Sequence, residues 1–227
     1  MRIPINMRRR VLWIALFAVV IVALFPLRLA LGMADVERLG LSAREARGPV
    51  WAGRLIEARW RGLALGDLDA SLSPVQLFVG RARIDLSGGN EMRGAVSVSR
   101  NSAGIDDVTG RLPVGGLFEG LPLGALVATD LSVRFANGAC ERAEGQVRAE
   151  LSAQLPGLSL AQGMTGRARC DGGALLLPLQ GASGMERMDL RLFADGRWQA
   201  RFQVAGDTAA LSGAGFAGGV LERSGRL

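Results

Sequence analysis

The chain has 227 residues, 49% of them hydrophobic, and a formal net charge of +6, enough apolar material for one domain or two small ones. It contains no histidine, no tyrosine and no lysine, so all 27 basic residues are arginine; this excludes Ser-His-Asp and Cys-His nucleophile systems, imidazole metal ligands, Walker-type phosphate loops and Schiff-base chemistry. The excess charge lies at the front, where five arginines precede the first acid; the remaining 22 arginines face all 21 Asp and Glu, and so balanced a body lacks the electrostatic footprint of a nucleic-acid binder.

Residues 1–10 carry Arg2, Arg8, Arg9 and Arg10 and read as a basic cytoplasmic tail. Residues 11–25 (VLWIALFAVVIVALF) hold no polar side chain, and the apolar run reaches Leu31 if Arg28 snorkels. This predicts a transmembrane signal-anchor helix over residues 11–31. Arginines before the run and Asp35 and Glu37 after it place the N-terminus in the cytoplasm. The rest of the chain then lies in the periplasm of a Gram-negative cell, on a single-pass inner-membrane protein. A cleavable signal peptide is the competing reading, with Ala30-Leu31-Gly32 or Gly32-Met33-Ala34 as cleavage site. The length of the apolar run and the interrupting Arg28 support the uncleaved anchor. Residues 32–47 form a juxtamembrane segment, with a short helix expected over 33–45.

Residues 48–227 read as one periplasmic β domain. Period-two alternation runs through residues 55–60, 68–72, 81–86, 95–99, 131–135, 147–151, 189–193 and 198–204, the pattern of antiparallel strands wet on one face. Turn signals separate them: Gly88-Gly89-Asn90, Asn101-Ser102, Asn137-Gly138, Asp171-Gly172-Gly173 and Asp195-Gly196. Residues 74–78 suit one helical turn with Ser73 as cap, and residues 113–120 another. The expectation is mainly β: ten to twelve strands in a single meandering antiparallel sheet, open or curled into a groove or half-barrel, with a few short helical turns. Phe78, Phe118, Phe135, Phe193, Trp198 and Phe202 are the large side chains available to fill its apolar face.

Cys140 and Cys170 are the only thiols. In an exported chain an even count points to a disulfide, here closing a loop that contributes about 3–4 kcal/mol in the loop-entropy model. No CxxC spacing accompanies them, and two thiols without histidine make a poor zinc site. Carboxylates pair at Asp67/Asp69 and Asp106/Asp107, but a half-exposed strand places acids on its wet face without catalysis. Arg81, Arg83, Arg167 and Arg169 are candidates for an anion or, more simply, for cross-strand pairs with Asp85 and Glu150. The glycines at 213, 215, 218 and 219 precede no helix and form no phosphate loop. No enzyme, metal site or cofactor site is expected.

The most distinctive segment is Gly48-Pro49-Val50-Trp51-Ala52-Gly53, where the large Trp51 ring at the start of a strand is expected to plug one end of the core. With the preceding anchor, it resembles the type II secretion system protein N (general secretion pathway protein N) family, in which G-x-V-W-x-G follows a membrane helix; Gly48, Val50, Trp51 and Gly53 match. Residues 58–68, with Trp60, Gly62 and Gly66, are similar to a second family stretch, followed by Leu72-Ser73-Pro74 and Leu77. The C-terminal half, with Cys140, Gly145, Gly166, Cys170 and residues 178–184, is similar in style. The resemblance implies a non-catalytic accessory component of the type II secretion machine that touches other inner-membrane subunits. The layout also resembles AsmA-like and lipopolysaccharide-transport families, which implies the alternative of a lipid held in an apolar β groove. That alternative requires a continuous open apolar face.

Overall fold

The computed structural model describes residues 5–33, 40–61, 63–89, 92–118, 120–151, 163–205 and 218–227. The chain starts with helices α1 (Ile5–Ala23) and α2 (Leu27–Met33) and continues into β1 (Leu41–Ser42), β2 (Glu45–Arg47), β3 (Gly53–Trp60) and β4 (Leu63–Leu72). A helical turn, α3 (Pro74–Phe78), leads to β5 (Arg81–Gly88), β6 (Arg93–Ser99), β7 (Ser102–Pro113), β8 (Leu123–Ala136) and β9 (Ala139–Leu151). The last strands are β10 (Met164–Arg167), β11 (Arg169–Asp171), β12 (Ala174–Gly181), β13 (Glu186–Leu192), β14 (Arg197–Val204) and β15 (Val220–Arg226).

All fifteen strands belong to one sheet whose order follows the chain, β1-β3-β4-β5-β6-β7-β8-β9-β10-β12-β13-β14-β15, with β2 beside β3 and β11 beside β12. The pairings are antiparallel. The meander expected from the alternation is therefore present, with more strands than expected because β1, β2 and β11 are only two or three residues long. Asn137 and Gly138 both take positive φ (51° and 80°) in the β8–β9 turn, as a two-residue hairpin loop of the primed type requires.

Several irregularities interrupt the ladders, and three of them are alike. The register shifts after Leu55, after Ile105 and after Thr129, and Glu57, Asp107 and Asp130 take left-handed backbone there. An extra residue in a bulge has no ladder partner for its N–H. Side chains of neighbouring strands supply one each time: Asp67 Oδ1 accepts from Glu57 N at 2.9 Å, Ser132 Oγ from Asp107 N at 2.9 Å, and Thr109 Oγ1 from Asp130 N at 3.0 Å.

Two apolar clusters lie on the sheet. The larger one joins β8–β10 and β12–β15, with Met164, Leu179, Met188, Leu190 and Phe202 essentially inaccessible. Val114, Phe118 and Leu121, from the β7–β8 connection, pack into it, and Phe118 meets Trp198 edge-to-face at 5.3 Å. The apolar face is thus filled over this half rather than open. Phe135 lies at its margin, and Phe193 sits in the β13–β14 turn with the Arg197 guanidinium 4.9 Å above its ring. Phe78 departs from expectation: it is 90% exposed. The smaller cluster, around Leu27, Val50, Leu55, Ala58 and Leu68, joins α2 to β3 and β4.

The N-terminal segment corrects two expectations. Residues 11–31 are not one helix: the chain breaks at residues 24–26, because Pro26 has no N–H to continue the ladder. The apolar part of α1, residues 11–23, is then about 20 Å long at 1.5 Å per residue, against roughly 30 Å of hydrocarbon. No helix among the described residues is long and apolar enough to cross a membrane. Of the short helix expected over 33–45, only Met33 is helical, as the last residue of α2, while residues 41–42 and 45–47 are strands pairing with β3. Residues 34–39 lie outside the described set.

Candidate functional site

The distinctive segment at residues 48–53 lies where the helices meet the sheet. Gly48 has φ of +83°, and a Cβ there would fall 2.9 Å from the Ala52 carbonyl oxygen. This tight turn needs glycine on both counts. Ala52 N closes it by donating to Pro49 O at 3.1 Å. Gly53 opens β3 under the Leu27 side chain; a Cβ would come within 2.5 Å of Leu27 Cδ2 and 3.1 Å of the Arg47 and Pro49 carbonyls. Its missing side chain makes the room in which α2 docks.

The turn grips the helical hinge through its backbone. Leu27 N donates to Gly48 O at 3.0 Å, Val50 N to Phe25 O at 2.8 Å, and Pro26 bridges to Pro49. Leu72 N, at the end of β4, donates to Val50 O at 3.1 Å. Trp51 Nε1 donates to Val22 O at 2.8 Å. Val22 lies in the last turn of α1, and its carbonyl also accepts from Phe25 N at 3.2 Å, so the indole adds a second donor at the helix end from a position 29 residues away. The Trp51 ring, expected to plug a core, is only half-buried, while its neighbour Val50 is buried. Leu27, Ala30 and Leu31 of α2 pack against Leu55 and Leu68 of the sheet.

The other candidate residues take structural places. Trp60 ends β3, opposite Leu41, with the Arg61 guanidinium 5.8 Å from its ring centre. Gly66 has φ of +77° and stands opposite Ala58 at the bulge; Gly62 lies outside the described residues. Cys140 and Cys170 form a disulfide, with Cα atoms 5.5 Å apart and a sequence separation of 30. It ties the start of β9 to β11, beside the Asp171–Arg191 ion pair at 2.8 Å.

The carboxylate pairs separate into distinct roles. Asp67 serves the bulge N–H of Glu57, while Arg54 donates to both oxygens of Asp69 at 2.6 and 3.0 Å. That double hydrogen bond holds the Asp69 carboxyl below the ordinary carboxylate range. Asp106 accepts from Arg81 at 2.8 Å and Arg83 at 3.2 Å, and Asp107 accepts from Ser132 Oγ. Arg83 also pairs with Asp85, but along its own strand β5 and not across strands as expected; Glu150 pairs instead with Arg111, at 2.6 Å. Arg167 and Arg169 are exposed on β10 and β11. A cleft lined by Arg47, Gly53, Arg54, Asp69 and Asp85 borders the junction, with its opposite charges paired. Among the described residues no three metal-ligating side chains cluster. The alternation could place these charges on one face, but it carried no signal for the bulges that give Asp67 and Asp107 their partners.

Comparison with known proteins identifies the chain's relatives. The sequence model of type II secretion system (T2SS) protein N matches residues 39–217. A protein of Vibrio cholerae serotype O1 (strain ATCC 39315 / El Tor Inaba N16961) bearing the name type II secretion system protein N is 29% identical over 121 residues, covering 48% of this chain and 48% of that protein. The chain spans about half the length of the curated relative it matches. No solved structure matches it.

Proposed function

The chain belongs to the type II secretion system protein N family, and on that premise we propose that it is a non-catalytic accessory component of the type II protein secretion system. It acts through contacts with other inner-membrane subunits of the machine, which hold it where exported proteins pass. The observation that carries this reading is the helix–sheet junction. A turn made by Gly48, Val50, Trp51 and Gly53 fastens an apolar helix to a large sheet through direct backbone hydrogen bonds. Such a joint transmits the position of a membrane element to a periplasmic one. The charged groups nearby are engaged with each other, which suits a scaffold better than a catalyst.

The same reading makes residues 11–31 an uncleaved anchor, with the N-terminus cytoplasmic and the sheet periplasmic. Leu12, Trp13, Ile14, Phe17, Val19 and Leu24 are exposed around α1, and a helix apolar on all sides needs an apolar surrounding. Its 13 apolar residues suffice for the hydrocarbon only if the bilayer thins locally, at fractions of a kcal/mol per Å. The arginines before residue 11 take the cytoplasmic headgroups, and α2 lies at the periplasmic interface.

Photo-crosslinking in intact cells tests the function, with the crosslinker placed at exposed sheet positions such as Arg59 and Arg148. Adducts with inner-membrane secretion subunits are expected; their absence from every position would overturn the reading. Mass spectrometry of the membrane-extracted protein tests the anchor. An intact N-terminal segment is expected, and a mature chain starting near Met33 or Asp35 would refute it.

A further inference from the structure

The connection between β4 and β5 has the wrong chemistry for a loop in water. Residues 73–80 (SPVQLFVG) contain no charge, and Ser73 and Gln76 are their only polar side chains. Strand connections facing solvent are normally polar. Here Phe78 is 90% exposed, Val79 74% and Val75 70%, Leu77 is exposed as well, and no residue of α3 is buried.

These side chains are held out on an ordered turn. Pro74 occupies the first turn of α3, Val79 N donates to Gln76 O at 3.2 Å, Gly80 N to Leu77 O at 3.0 Å, and Ser73 N to Arg83 O at 2.9 Å. The turn also leaves the sheet at an informative place. Leu72, the last residue of β4, packs in the junction cluster with Phe25, Leu31 and Trp51, and its N–H is bonded to Val50 O. Trp51 in turn holds Val22, at the end of the apolar helix. The exposed apolar turn and the end of α1 therefore issue from the same corner of the sheet.

We propose that residues 74–79 are a second membrane contact, inserting Val75, Leu77, Phe78 and Val79 into the interfacial region of the bilayer whose hydrocarbon receives α1. The inference rests on the anchor reading above. The partner is the lipid surface itself: it covers apolar side chains without asking for hydrogen bonds or ion pairs, and this turn offers no charge to a protein partner. A large aromatic with branched aliphatic neighbours is suited to the boundary between headgroups and acyl chains. Two points of contact, α1 and the turn, set the tilt of the sheet over the membrane, adding to the backbone joint at residues 25–27 a second hold on the lipid.

The test uses the full chain carrying Phe78→Cys, with Cys140 and Cys170 already consumed in their disulfide. The new thiol is labelled with an environment-sensitive NBD dye, and the protein is reconstituted into phosphatidylethanolamine–phosphatidylglycerol vesicles. Ala182→Cys, on the exposed turn between β12 and β13, is the water-facing control. The expected result is blue-shifted emission at position 78, quenched several-fold more strongly by acyl-chain nitroxides than at position 182, with little quenching by iodide. Iodide access equal to the control would overturn the proposal. Shielding from iodide without quenching by lipid nitroxides would also overturn it, since a second copy would then cover the turn. Alkaline extraction of the unlabelled full chain from membranes reads the anchor separately. Release would defeat the anchor reading, while the dye at position 78 still decides whether the turn meets lipid.

Discussion

The two apolar clusters are built on different principles. The C-terminal one buries twenty of the described residues, from Val114 to Leu221, and is braced by the Cys140–Cys170 disulfide at its edge. The junction cluster buries five and relies on main-chain hydrogen bonds from Gly48, Val50 and Phe25 and on one indole. Buried apolar area sets stability at roughly 25 cal/mol per Å2, so the C-terminal half is the stable body and the junction a thin joint. The joint is specified instead by geometry: glycines where a Cβ would collide, and a tryptophan that reaches a helix end. Stability and position are thus assigned to different parts of one sheet, and substitutions should separate them.

The largest effect is expected in the body. Phe202 is fully buried, and Phe202→Ala should cost about 3–5 kcal/mol, lowering the thermal midpoint of the whole β domain in detergent. Breaking the bridge with the double substitution Cys140→Ser/Cys170→Ser should cost about 3–4 kcal/mol, from the loop it closes, read in the same melt. Leu68→Ala, in the joint, should cost about 2–3 kcal/mol, at the low end for a buried leucine because its cluster is small and can close over the gap. Hydrogen exchange should then rise around residues 25–31 and 50–70 while β12–β14 stay protected. If exchange rose equally in both halves, the sheet would be a single cooperative unit and the division between body and joint would fail.

Much of this fold is legible in the sequence, for a physical reason that also marks where legibility stops. Strands with one wet face write their period into the chain, so β5, β6, β13 and β14 and the Asn137-Gly138 turn could be read directly. Strand β12 (ALLLPLQG) could not, since burial on both faces erases the alternation. The acids at 67, 69, 106 and 107 are visible as pairs, but Asp67 and Asp107 find their partners at bulges, which carry no periodic signal, while Asp69 meets Arg54 directly across the ladder. The apolar run was read as one helix because hydropathy sums over Pro26 without registering the missing N–H. At residues 48–53 the pattern pointed to the correct residues with an incomplete role. Trp51 was expected to fill a core, but it reaches out of one to hold a helix end.

Trp51 offers a finer probe of the joint. Trp51→Ala removes a half-buried ring and the bond to Val22 O, and should cost about 2 kcal/mol, well under the 3–5 of a fully buried aromatic. Trp51→Phe keeps most of the ring and loses the donor, and should cost about 1 kcal/mol, the net worth of one hydrogen bond. Both losses should appear as faster exchange at residues 22–31 with the domain melt nearly unmoved. A full-size drop in the melt from Trp51→Phe would show the indole serving the body rather than the joint.

The smallest effect expected is in acid, and it separates the halves by titration. In the joint, Arg54 lowers the Asp69 carboxyl and Arg47 lowers that of Glu45, in both cases chiefly through side-chain hydrogen bonds. In the body's β13–β14 turn, Asp195 is lowered by the Arg197 side chain and then by its backbone N–H. A carboxyl depressed by folding gives stability that is complete above its unfolded value, near 4, and is lost as pH falls through the lower folded value. These groups lie at the surface, where solvent and salt screen the pairs, so the loss below pH 4 should be slight and weaker still at high salt. Carbon-13 titration of the carboxylates in detergent-solubilised protein checks the direction. Arg54→Gln should return Asp69 toward its ordinary value and leave Asp195 where it was, because the two pairs share no partner. Movement of Asp195 in that variant would mean that the joint and the body are electrostatically coupled after all.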